Sequence, residues 1–248
     1  PIETTSVQIL NVAPTIQNLQ IVTPIDEGNT STVSGNLIDP SEGDTLTLEI
    51  DWGDGSPVDT YSGLAPGTSF SYEHVYEDDG LTPGGSPSHE YDVSVVVSDD
   101  AAGSNSYPLT VRVDNISPLS LVLEDLERVN EHDEVTLRGS FGEPGVLDTH
   151  VVTINWGDGN EETMDLTLGD LQFTATHRYL DDGPTPGGTV PASATFNYQI
   201  EVTVEDDDTG TGTAATTITV DNVAPTLRDL ASVAIDENEI ITLTGEIV

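Results

Sequence analysis

The chain contains no cysteine and no lysine, and its positive charge rests on five arginines, Arg112, Arg128, Arg138, Arg178 and Arg228. Without cysteine there are no disulfides, no thiolate metal sites and no thiol nucleophiles. Against the arginines stand 45 acidic residues, a formal net charge of −40. Nucleic acid and anionic membrane surfaces are therefore excluded as partners, because phosphate binding needs basic clusters that are absent. No apolar run reaches membrane-spanning length, so direct membrane insertion is not expected. Aromatic residues are sparse, with two Trp, seven Tyr and four Phe, which leaves few rings for stacking against sugars. No stretch longer than a turn or two carries a helical period.

What is present is β structure. Thr, Val and Ile are plentiful, and Gly and Pro punctuate the chain at short intervals. The length accommodates two sandwiches of about 100 residues each. A long internal period supports that division. The segment NVAPTI at 11–16 returns as NISPLS at 115–120 and as NVAPTL at 222–227, so Pro14, Pro118 and Pro225 lie 104 and then 107 residues apart. Between these marks the features keep their order: IDWGDGS (50–56) answers INWGDGN (154–160), and HVYEDDGLTPGG (74–85) answers HRYLDDGPTPGG (177–188). YDVSVVVSDD (91–100) likewise answers YQIEVTVEDD (198–207).

The phase of the period implies complete modules at 14–117 and 118–224. Residues 1–13 read as the last strand of a preceding repeat and 225–248 as the start of a following one. The linkers are short and apolar, which suits a stiff rod rather than flexible tethers. In the first module, alternation predicts strands near 15–23, 31–37, 45–52, 68–76, 91–98 and 106–113, with Tyr91, Val93, Val95 and Val97 on one face. Trp52 and Trp156 each end a strand at WGDG and are expected in the cores. Asp54 and Asp158 are expected to form the turns that follow. Counting strands up and down places DEGN (26–29), GDG (53–55), EDDG (77–80) and VDN (113–115) at one pole of the first module. GEPGVLD (142–148) and EDDDTG (205–210) fall at the facing pole of the second, so acidic loops of consecutive modules converge on one junction.

The motif order WGDG, then HVY or HRY, then YDVSVVVSDD resembles that of PKD (polycystic kidney disease) repeats of large bacterial surface proteins, and the resemblance spans both complete modules. It implies an all-β fold of tandem immunoglobulin-like sandwiches and an extracellular, secreted or cell-surface setting. The insertions at 81–90 and 184–197 depart from the pattern locally. A second resemblance, by position in the strand order, is to cadherins, in which acids of two domains and their linker share calcium. It implies ligands at Glu27, Asp78, Asp79, Asp114 and Asn115, faced by Asp148, Asp206 and Asp208 of the next module. At the following junction it implies Glu131, Asp181, Asp182, Asp221 and Asn222.

Physical chemistry points the same way. Calcium takes six to eight oxygen ligands, and a pole crowded with uncompensated carboxylates otherwise repels itself. The competing reading is that these acids cap turns and are solvated, or that the surface is adapted to high salt as a whole. No enzyme is expected: the five histidines, His74, His89, His132, His150 and His177, lack any HExxH-type spacing, and His74 and His177 hold repeated structural positions. The expected role is that of a structural segment of an adhesin, matrix or filament, whose partners are neighbouring repeats of the same chain. Other copies in a filament are a further option, and a recognition module accompanying a secreted hydrolase is the alternative.

Overall fold

A computed structural model describes residues 10–80, 86–181, 183, 195–224, 226–228, 237, 240 and 246–247. It is all-β, with no helix among the described residues. The first module contains β1 (Thr15–Ile21), β2 (Ile25–Asp26), β3 (Thr30–Ile38), β4 (Leu46–Asp51), β5 (Asp59–Leu64), β6 (Ser69–Val75), β7 (Ser88–Asp99) and β8 (Ser104–Asp114). The second repeats the series as β9 (Leu119–Leu123), β10 (Val129–Asn130), β11 (Glu134–Gly142), β12 (His150–Asn155), β13 (Glu161–Leu166), β14 (Gln172–Arg178), β15 (Thr195–Asp206) and β16 (Thr211–Asp221).

Each module packs a three-stranded sheet on a five-stranded one. The orders are β1-β3-β6 on β2-β8-β7-β4-β5, and β14-β11-β9 on β10-β16-β15-β12-β13. All pairings within the modules are antiparallel except β2 with β8 and β10 with β16, which are parallel. The alternation read from the sequence is the burial pattern: Tyr91, Val93, Val95 and Val97 face the first core, while Tyr198, Ile200, Val202 and Val204 face the second. Two kinds of strand escaped the alternation. β5 and β13 are edge strands with half-exposed faces, and β2 and β10 are two-residue additions whose only signal is their pairing.

The WGDG turn anchors each core in the same way. Trp52 is 1% exposed, stacks on His74 with ring centroids 4.9 Å apart, and accepts through its carbonyl a 2.9 Å hydrogen bond from the Tyr76 hydroxyl. Asp54 takes the Ser56 amide at 3.0 Å through one carboxylate oxygen and meets His74 Nε2 at 2.6 Å through the other. Trp156, His177, Tyr179 and Asp158 repeat the arrangement, with the His177 to Asp158 contact at 2.8 Å. Gly53 and Gly157 both have positive φ, and a Cβ there would lie 2.4 and 2.3 Å from the carbonyl oxygens of Asp92 and Gln199. Glycine is thus required by both dihedral and space. Asp and His of this turn are occupied with holding each module together.

Candidate metal centre between the modules

The lower pole of the first module is built by strand pairing. β2 runs parallel to β8, and the ladder extends one residue further through a 3.0 Å bond from the Glu27 amide to the Asp114 carbonyl. This fixes Glu27 beside the linker, where its Oε1 accepts the Ile116 amide at 2.7 Å. Gly28, with φ of 69°, donates to the Tyr76 carbonyl at 2.7 Å and turns the chain into β3. The Tyr91 hydroxyl, rising from β7, donates to the Asp78 carbonyl at 3.1 Å and so holds the loop carrying Asp78 and Asp79.

The upper pole of the second module supplies the opposite wall. In the β15–β16 turn, Asp206 Oδ1 accepts the amides of Asp208 at 3.0 Å and Gly210 at 2.6 Å, so the Asp208 carboxylate is carried by an ordered turn. In the β11–β12 loop, Glu143 is fixed by His150 Nε2 at 3.0 Å and by the Gly145 amide at 3.2 Å. Direct contacts among the described residues lock the poles together. Asn115 Nδ2 donates to Asp206 Oδ2 at 3.2 Å, the Ser86 amide donates to Asp208 Oδ1 at 3.2 Å, and Gly28 packs so closely on the Pro144 carbonyl that a Cβ would lie 2.9 Å from its oxygen.

Between these walls the carboxylates of Glu27, Asp78, Asp79, Glu143, Asp148 and Asp208 form one connected cluster. Its overlapping triads, Glu27 with Asp78 and Asp79, Glu27 with Glu143 and Asp148, and Asp78 with Asp148 and Asp208, each keep their oxygens within 4.8 Å of one another. Four of the six are buried, Glu27 and Asp79 at 1% exposed, Asp148 at 2% and Asp208 at 4%, while Asp78 and Glu143 are half-buried. Both carboxylate oxygens of Asp79, both of Asp148, and Glu27 Oε2 have no hydrogen-bond partner.

Such an arrangement is costly without a cation. Two carboxylates 4.8 Å apart repel by about 3 kcal/mol at an effective dielectric of about 20. The molecule's own response is to resist ionisation. Burial, only partly offset by the Ile116 amide and reinforced by Glu143, Asp78 and Asp206, raises Glu27 to about 7. Burial and then the Asp208 and Glu27 charges raise Asp79 to about 8. Burial and then Glu27 and Glu143 raise Asp148 to about 9. Asp78 is raised as well, first by burial. Carboxylates drawn from four loops, with buried oxygens of Glu27, Asp79 and Asp148 that no protein donor satisfies, are the donor set that a hard divalent cation takes.

The residues of the cadherin-like assignment are placed unevenly about the cluster. Glu27, Asp78, Asp79, Asp148 and Asp208 lie in the cluster, and Asp206 and Asn115 border it as a bonded pair. The Asp114 side chain does not join it, because Arg112, two residues earlier on the same strand face, binds its carboxylate at 2.6 Å. Only its carbonyl serves the site. Asp221 is held in the same manner by Arg128. Glu131 accepts the Val223 amide at 2.7 Å as Glu27 accepts that of Ile116, and its own amide donates to the Asp221 carbonyl at 2.9 Å. Asp181 receives the Tyr198 hydroxyl on its carbonyl at 3.0 Å, and Asn222 follows Asp221 in the linker. Asp182 lies outside the described residues. Glu143 joins the cluster as well, from the segment 142–148 that strand counting brings to this pole, without being among the ligands the resemblance implies. Its signal is the repeat itself, since Glu143 and Asp148 occupy the positions of Asp39 and Asp44.

No protein-family model and no curated protein matches the chain. Among solved structures it is similar to the PKD domain of an M14-like peptidase from Thermoplasmatales archaeon SCGC AB-540-F20. The identity is 25%, covering 42% of this chain and 99% of that one, with a TM-score of 0.33. It is also similar to the FN1-FN3 domains of chicken CNTN1, at 11% identity over 88% of this chain and 71% of that one, with a TM-score of 0.29. The PKD-like, immunoglobulin-type β-sandwich rests on the sheet orders, the two cores and the motif repeated in both modules.

Proposed function

We propose that this chain is a structural segment of an extracellular or cell-surface array, in which calcium held between consecutive modules stiffens the junction, and that it has no catalytic role. The observation that carries the reading is the buried cluster of Glu27, Asp78, Asp79, Glu143, Asp148 and Asp208, drawn from both modules and left with unpartnered oxygens. Three divalent ions neutralise six carboxylates and two neutralise most of their charge, and ions bridging both walls resist bending in every direction. Neighbouring repeats of the same chain are the partners, and a matrix, adhesin or filament is the setting.

A recognition role is less favoured, because both tryptophans are buried and committed to the turn that anchors each core. Calcium rather than zinc suits the donors, which are carboxylates without cysteine and with His150 already spent on Glu143. Small-angle scattering in calcium and after chelation tests the role. Stiffening predicts a narrower distribution of end-to-end dimension in calcium that broadens on chelation while both modules stay folded. Identical scattering in the two states would refute it.

A further inference from the structure

The upper pole of the first module carries a second acidic cluster, Asp39, Asp44 and Asp99, with carboxylate oxygens within 4.8 Å of one another. It lies far along the module from the junction, beyond the opposite ends of β3, β4 and β7. In the repeat, Asp39, Asp44 and Asp99 occupy the positions of Glu143, Asp148 and Asp206. The local geometry matches as well. Asp99 Oδ1 accepts the amides of Ala101 at 2.9 Å and Gly103 at 2.7 Å, as Asp206 Oδ1 accepts those of Asp208 and Gly210. Asn11 Nδ2 donates to Asp99 Oδ2 at 2.8 Å, as Asn115 Nδ2 donates to Asp206 Oδ2.

An independent observation points to a ligand. Asp39 is 8% exposed, its Oδ1 accepts the Ser41 amide at 2.7 Å, and its Oδ2 is buried with no partner. A buried carboxylate oxygen facing two further carboxylates, with no donor among the described residues, is satisfied by a cation and by little else. Gly103 is consistent with a crowded pole: a Cβ there would lie 2.5 Å from Asp99 Oδ2 and 2.7 Å from Asn11 Nδ2.

We propose that Asp39, Asp44 and Asp99 form one wall of a second divalent-cation site, which the lower pole of another module of this kind completes. The inference rests on the reading of the first junction as a cation site. Three carboxylates fall short of the six to eight oxygens calcium takes, so the wall alone binds weakly, with Kd on the order of 10⁻³ M. The missing oxygens correspond to those that Glu27, Asp78 and Asp79 bring to the first junction. The second module carries the corresponding Glu131 in its lower pole, tied to its linker as Glu27 is. Each module is thereby a directional unit, with an acid wall at both ends, and the array grows head to tail.

Amide chemical shifts of the full chain during a calcium titration separate the two sites. The Ser41, Ala101 and Gly103 amides report the upper wall and those of Ile116, Asp208 and Gly210 the junction. The expected result is saturating shifts in both sets, at roughly tenfold or more higher calcium for the upper wall, with the D39N/D44N variant losing only the first set. Asparagine keeps the Oδ1 acceptor for Ser41, and thermal unfolding in chelator checks that the variant folds. Saturation of the junction set while Ser41, Ala101 and Gly103 stay still, or follow sodium chloride equally at matched ionic strength, overturns the second site and leaves the first intact. Absence of saturation in both sets overturns both.

Discussion

Glu27→Gln should stabilise the metal-free protein and lose most or all of that advantage in calcium. Without the ion, Glu27 is a carboxyl lifted from 4.5 to about 7 by burial and by its acidic neighbours. At pH 8 it is charged in both folded and unfolded chains, and the lift amounts to about 3 kcal/mol of lost stability. Glutamine removes the charge, keeps Oε1 for the Ile116 amide, and turns a donor toward oxygens that have none. Parting the modules gives the metal-free protein another way to relieve the strain, so the observed gain should be about 1–3 kcal/mol, or roughly 5–20 °C in the melting temperature of the first module. With about 2 mM calcium and a site of Kd near 0.1 mM, the wild type gains about 2 kcal/mol, and the variant, short of one charged ligand, gains little of it. Calorimetric scans of both proteins at pH 8, in chelator and in calcium, give the comparison. A variant less stable than wild type in chelator would show that Glu27 is not strained there, and an equal calcium gain in both would show that Glu27 is not a ligand.

Other consequences are open to direct measurement. In chelator, stability should fall as pH rises from about 5 to 9: carboxyls raised to about 7, 8 and 9 at Glu27, Asp79 and Asp148 lend their full contribution below the ordinary carboxylate pKa and lose it as pH climbs through the raised values. Asp54 and Asp158, whose burial is outweighed by hydrogen bonds from the turn and from His74 and His177, act oppositely and fail only as pH drops through their lowered values. Urea titrations should therefore place the metal-free optimum near pH 5, and calcium should flatten the alkaline decline. Gly145→Ala brings a Cβ to 2.5 Å from Asp148 Oδ2 and 2.6 Å from Glu27 Oε2, so calorimetric calcium affinity at the junction should drop by roughly tenfold or more while the core melts normally. Tyr76→Phe leaves the buried Trp52 carbonyl without its hydroxyl donor and should cost the first module about 1–3 kcal/mol in urea unfolding, with the second unaffected.

Much of the architecture is legible in the residues because two independent periods agree. Alternation over Tyr91 to Val97 fixes which face is buried, and the recurrence of proline marks and WGDG fixes where each module begins and how its poles are composed. Counting strands is enough to bring Glu27, Asp78 and Asp79 to face Asp148 and Asp208, because antiparallel strands leave loops only two ends to occupy. Which acids enter the cluster is decided by contacts that strand order does not encode. Arg112 draws Asp114 away because both point to the same side of β8, and Arg128 reaches Asp221 from a different loop. His150 holds Glu143 in place, where the first module has Leu46 at the corresponding position and no such donor to Asp39. Short parallel strands such as β2, too brief for any period, decide where Glu27 points.

The presence of calcium between the modules is best measured by calorimetric titration of the intact chain, at moderate ionic strength and beside a sodium chloride series. A calcium-stiffened junction should show saturable binding of two or three ions, abolished in D79N/D148N, whose two carboxylates carry four unpartnered oxygens. Weak, non-saturating heats that track total salt and are indifferent to those substitutions would contradict it, and would make the acidic surface an adaptation to salt rather than a set of cation sites.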